Sequence, residues 1–164
     1  MFDEQLLMLA RLTLDEAQQK RLKIATAESC TGGLIAGLLT EIPGSSATVE
    51  RGFIVYSNRA KEEMLGVPRD MLANHGAVSE MVAIAMAEGA LARAGTDIAI
   101  AVTGIAGPGG ATPGKPVGLV HLACARRERP TIHCREVFAG DRDAVRHATI
   151  IRALEMMRSQ TARA

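Results

Sequence analysis

The 164-residue chain is 48% hydrophobic and 23% charged, which is enough apolar sequence for one substantial core, and a single domain over residues 1–164 is expected. Nineteen basic residues against eighteen acidic ones leave a net charge of +1, giving no electrostatic reason to expect a nucleic acid or an anionic membrane as partner. Three Phe, one Tyr and no Trp are too few to build a surface on which bases stack.

The first segment, MFDEQLLMLARLTLDEAQQK, places Leu6, Leu7, Leu9, Ala10 and Leu12 at helical spacing. It lacks the basic start and unbroken apolar stretch of a secretory signal, no segment reaches the roughly 20 apolar residues of a bilayer span, and a cytoplasmic protein is expected. Residues 22–27 (LKIATA) follow as a short strand, then the turn ESCTGG and the helix LIAGLLTEI. GFIVYS (52–57) is a β-branched and aromatic strand, and NRAKEEML a helix opened by Asn58 as N-cap and stopped by Gly66 and Pro68. Ser79 caps a long Ala- and Met-rich helix that ends at Gly95.

DIAIAVTG (97–104) has the composition of a fully buried strand and empties into a loop dense in glycine and proline. VGLVHLACA and TIHCREVF predict an antiparallel pair joined across RRERP, and a last helix from Asp141 to about Met157 puts Ala144, Ala148, Ile151, Leu154 and Met157 on one face. The order of elements predicts an α/β fold, a mixed sheet with helices on both faces.

Three cysteines, Cys30, Cys124 and Cys134, form no C-x-x-C pair, and the four histidines lack metal-ligand spacing, so neither a disulfide framework nor a metal site is expected. Ser29 lies between a strand and a helix, with Gly32 and Gly33 leaving backbone N–H groups at the positive end of that helix, where an anion or oxyanion is favoured. The same position suits a plain helix cap, by Ser29 or by Thr31. Cys30 is the better intrinsic nucleophile but is expected to point elsewhere, as a buried free cysteine. Lys61 falls in the first turn of a helix, where the dipole and burial lower an ammonium pKa toward that of a general base; alternatively it is a surface lysine paired with Glu62 or Glu63. Tyr56 is either part of the same site or packed in the sheet with its hydroxyl at the rim. The 104–118 loop reads as a ligand-facing lid or as a flexible surface loop. Arg142 and Arg146, four residues apart, form a phosphate clamp or else pair with Asp141, Asp143 or Glu136.

Taken together, TAESCTGG, GSSATVERGFIVYSNRAKEEMLGV, HGAVSE, GIAGPGG, KPVG and FAGDRDAVR resemble the CinA C-terminal domain family, the nicotinamide mononucleotide amidohydrolases. The motifs run in family order from Thr26 to Arg146. The resemblance implies a three-layer α/β/α fold and metal-free, cofactor-free hydrolysis of the substrate carboxamide to nicotinate mononucleotide and ammonia. It implies Ser29, Lys61 and Tyr56 as the working groups. Thr31, Gly32, Gly33, Thr103, Gly104 and Gly107 then line the substrate site, with Arg142 or Arg146 on the phosphate. It further implies the stand-alone form, without the separate N-terminal domain of longer members, and by analogy a dimer. Gly114 departs from the pattern, standing where many relatives carry a polar or acidic residue. Two other readings remain at this point: a non-catalytic nucleotide- or partner-binding module connected with competence or DNA damage, and a serine amidase for a different small amide.

Overall fold

The computed structural model describes all 164 residues. Its elements in chain order are α1 (Glu4–Gln19), β1 (Ile24–Glu28), α2 (Leu34–Glu41), a 3-10 turn (Ser45–Ala47), β2 (Val49–Ile54), α3 (Asn58–Leu65), α4 (Arg69–His75), α5 (Glu80–Ala94), β3 (Ile98–Gly104), β4 (Leu119–Arg126), β5 (Arg129–Val137) and α6 (Arg142–Ala162). All five strands belong to one sheet in the order β2-β1-β3-β4-β5. β1 is parallel to both its neighbours, whereas β3, β4 and β5 alternate antiparallel, which is the mixed sheet expected.

The strands carry different side chains on their two faces because neighbouring residues point to opposite sides. Ile24, Ile98, Ile100, Val102, Val120, Leu122 and Cys124 belong to a core shared with α1, α2 and α6. The opposite face is made of alanines, Ala25, Ala27, Ala99, Ala101, Ala123 and Ala125, and packs with Val82, Ala83, Met86, Ala87 and Ala90 of α5. Small residues on both sides let that helix lie close to the sheet, and the result is three layers, α/β/α.

Several local expectations are corrected. Ser57, not Asn58, caps α3, its hydroxyl accepting from the Ala60 N–H at 3.0 Å, because Ser57 keeps the extended backbone that an N-cap needs. α4 was not anticipated: it has seven residues between Pro68 and Gly76 and buries only Leu72, too little for a periodic signal. β2 begins at Val49 and ends before Tyr56, which therefore leaves the sheet. α6 continues to Ala162 and buries Val145, Thr149 and Ile150 in place of Ala144, Ala148 and Ile151; Thr149 enters the core by donating its hydroxyl to Val145 O at 2.7 Å. β4 and β5 extend inward to a tight turn at Arg127 and Glu128.

Candidate active site

The carboxyl ends of parallel β1 and β3 open onto one cavity of about 260 Å³, in the position where open α/β sheets take ligands. Ser29, Cys30, Tyr56, Lys61, Thr103, Gly104, Gly107 and Arg142 all border it. Seven of these residues lie at or just beyond the ends of the parallel strands β1, β2 and β3, and Arg142 comes from the start of α6.

Lys61 is 1% exposed, the largest fully buried side chain in the protein. Its Nζ lies 2.9 Å from Ser29 Oγ, 2.8 Å from Val55 O and 3.2 Å from Tyr56 O. Burial lowers its pKa from 10.5 to about 8. Two carbonyls accept the two N–H bonds of a neutral amine and leave its lone pair for the Ser29 hydroxyl. The surface-pairing alternative does not hold, since Glu62 bonds Arg69 and Glu63 bonds Arg59 while Lys61 turns inward.

Tyr56 is 66% exposed, on the rim of the cavity, and contributes its carbonyl to Lys61; its hydroxyl bonds neither Lys61 nor Ser29. Cys30 is a buried free cysteine, as expected, and belongs to the core shared with α2 and α6, although the residue also borders the cavity. Burial pushes its thiol up to about 12, leaving it protonated and a poor nucleophile at neutral pH. Thr103 borders the cavity with its hydroxyl donated to Ala77 O at 2.9 Å, and Ala77 borders the cavity too.

Neither Ser29 nor Thr31 caps α2, and the glycine amides at its N-terminus are not free. The N-cap is Gly33, with φ +98°, a conformation that L side chains resist, and a Cβ there would come within 2.9 Å of Ile54 Cδ1. The carboxylate of Glu28, 1% exposed, accepts from Thr31 Oγ1 (2.6 Å) and from the N–H groups of Gly33 (3.1 Å), Ile35 (3.1 Å) and Ala36 (2.8 Å). The Gly32 N–H donates to Ser29 O at 3.2 Å. Thr31, Gly32 and Gly33 therefore build the turn beneath the cavity and do not border it. Glu28 escaped sequence reading, although a glutamate ending an otherwise apolar strand is a signal, since a buried carboxylate must find donors.

The two arginines separate. Arg142 is exposed, borders the cavity and holds the loop through one bond, its Nη1 donating to Gly107 O at 2.8 Å. Arg146 lies behind the turn that follows Ser29, its Nη2 donating to Thr31 O at 3.2 Å and its buried Nε without a partner. Neither pairs with a carboxylate; Glu136 is taken by Arg152. The glycine loop is tied down at several points, including Lys115 Nζ donating to His75 O at 2.6 Å, so it forms a fixed wall.

Nowhere do three or more His, Cys, Asp or Glu side chains gather as a metal-binding group. No helix is long and apolar enough to cross a membrane. His121 packs on His133 with ring centroids 5.2 Å apart, and burial pushes it down to about 4, so it stays neutral and lies outside the cavity.

The CinA C-terminal domain model matches residues 7–161. The chain is 47% identical over 160 residues to the nicotinamide-nucleotide amidohydrolase PncC of Escherichia coli K12, covering 98% of this chain and 97% of that protein. It is 56% identical over 136 residues to a CinA-like protein of Akkermansia muciniphila, of which it spans only 33%. Among solved structures, the competence/damage inducible protein CihA of Agrobacterium tumefaciens superimposes with a TM-score of 0.95 at 49% identity, covering 97% of each chain.

Proposed function

The chain belongs to the CinA C-terminal domain family, and from that premise we propose that it hydrolyses the carboxamide of nicotinamide mononucleotide to nicotinate mononucleotide and ammonia, in pyridine nucleotide salvage. The observation that carries the reading is the buried Lys61 amine 2.9 Å from Ser29 Oγ at the end of an otherwise open cavity. A module that only binds has no use for a desolvated lysine held against a serine, and this favours catalysis over the binding alternative.

Neutral Lys61 takes the proton of Ser29 as the oxygen attacks the carboxamide carbon. With the amides of α2 committed to Glu28, the oxyanion is met by N–H groups without a partner in the chain at residues that border the cavity, among them those of Cys30, Ala106 and Gly107. The intermediate collapses, the nitrogen leaves as ammonia with the proton returned by Lys61, and an ester to Ser29 remains. Water, deprotonated by the same amine, cleaves that ester and restores the serine. Arg142 pairs with the 5′-phosphate from the exposed side of the cavity. The cationic pyridinium of the substrate, brought close to Lys61, disfavours the ammonium and raises the fraction of the amine that is neutral.

Ammonia release from nicotinamide mononucleotide by chelator-treated protein tests the reading. Wild type is expected to be active, and Ser29→Ala and Lys61→Ala are each expected to lose about a thousandfold or more. Activity that survives Ser29→Ala contradicts the mechanism, and an inactive wild type that turns over another small amide contradicts the substrate.

A further inference from the structure

Glu28 immediately precedes the nucleophile, yet its carboxylate faces away from the cavity and touches no group used in the reaction described above. Four donors converge on it, three of them backbone amides of the turn and first residues of α2. Such a concentration of bonds on one buried group fixes geometry more firmly than a side-chain cap does, which satisfies one or two amides.

The main chain of Glu28 has a second task. Its carbonyl accepts from the Val55 N–H at 2.9 Å, and the Val55 carbonyl accepts from Lys61 Nζ at 2.8 Å. Lys61 in turn meets Ser29, the residue bonded to Glu28. A closed circuit therefore runs from Glu28 through Val55, Lys61 and Ser29 back to Glu28. The side chain anchors that circuit to α2, and Ser29 N–H anchors it to β3 through Val102 O at 3.1 Å.

We propose that Glu28 is a positioning residue, whose buried carboxylate locks the turn carrying Ser29 to α2 and so holds the Ser29 hydroxyl against Lys61. The inference deepens the serine and lysine reading and rests on it. The effect is one of geometry: the Lys61 acceptors, the Val55 and Tyr56 carbonyls, lie in the link between β2 and α3 and are untouched by the Glu28 side chain.

The experiment compares Glu28→Gln, Glu28→Asp and Thr31→Val with wild type. In Glu28→Gln one amide oxygen can keep the three donors on Oε2, but the NH2 group then confronts the Ala36 N–H. In Glu28→Asp the charge is kept, but the side chain is one methylene short of Ala36. In Thr31→Val a single bond is lost. For both Glu28 variants kcat is expected to fall on the order of tenfold to a hundredfold, as for an ångström-scale displacement of a reacting atom. KM and the pH midpoint of the acid limb should stay at wild-type values. Thr31→Val should lose kcat in the same direction by a few-fold, which keeps the test open if a Glu28 variant fails to fold. A residue that only stabilises the fold would lower the melting temperature and leave kcat intact well below it, and that result overturns the proposal. The rate at which a fluorophosphonate probe labels Ser29 is a parallel readout, independent of the substrate. Slower labelling in the variants upholds the positioning role even if nicotinamide mononucleotide proves to be the wrong amide, and unchanged labelling overturns it.

Discussion

At the N-terminus of α2 the amides are taken up by a carboxylate buried inside the protein, whereas at the N-terminus of α6 the cap is the exposed Asp141 and the next side chain, Arg142, stands in solvent with one backbone partner. The α2 end lies beneath the cavity, and the α6 end borders it through Arg142. The first has its amides occupied and adjoins Ser29, the proposed nucleophile; the second is open and keeps a guanidinium available to an anion. The contrast shows how one small cavity divides its work. In the proposed mechanism the groups that move protons are held by satisfied bonds, and the group assigned to the substrate phosphate is left with unspent hydrogen-bonding capacity.

The comparison is broken most severely at the buried end. Lys61→Met should abolish ammonia release, yet it should raise the melting temperature at pH 7, because it removes an amine whose charged form burial disfavours. Since the folded-state pKa of about 8 lies below the unfolded value near 10.5, the unfolded chain binds more protons between those limits. Stability of the wild type therefore rises with pH through that window, and Lys61→Met should flatten the rise in urea titrations.

At the open end the losses are smaller and fall on binding. Arg142→Ala should raise KM so that kcat/KM drops roughly ten- to a hundredfold, the scale of a charge-assisted hydrogen bond. Nicotinamide riboside, which has no phosphate, should show a similar deficit with wild type and no further loss with Arg142→Ala. Equal turnover of riboside and mononucleotide by the wild type would contradict the assignment of Arg142.

Arg146 tests the boundary between the two ends. It sits behind the Ser29 turn and away from the cavity, so Arg146→Ala should reduce kcat by several-fold, with little change in KM, and cost about 1 kcal/mol of stability. Tyr56→Phe should have the least effect. A phenol acting as general acid would be missed by about a hundredfold or more, but this hydroxyl has no bond to either working group, and only its carbonyl supports Lys61.

Much of this was legible before any coordinates. The alternation of apolar runs with glycine turns revealed the strands and the layered architecture; of the residues the motifs single out, Ser29, Lys61, Tyr56, Thr103, Gly104, Gly107 and Arg142 border one cavity, and Thr31, Gly32, Gly33 and Arg146 do not. What stayed hidden depends on neighbours distant in sequence. Whether Lys61 pairs with Glu62 or turns inward is decided by Val55 and Tyr56 at the end of β2, and the two arginines of α6 differ only in which loop each meets. Glu28 was passed over because its worth depends on amides up to eight residues ahead, visible only once α2 is folded onto the end of β1. α4 gave no signal, since one buried leucine makes no period.

The account rests on a neutral, buried Lys61 acting on Ser29, and the pH dependence of kcat/KM for ammonia release from nicotinamide mononucleotide tests it most directly. A single acid limb with its midpoint near 8 is predicted, with the limb in kcat displaced to lower pH by the bound pyridinium. A profile that is flat from pH 6 to about 9, or one whose limb persists unchanged in Lys61→Ala, would contradict it.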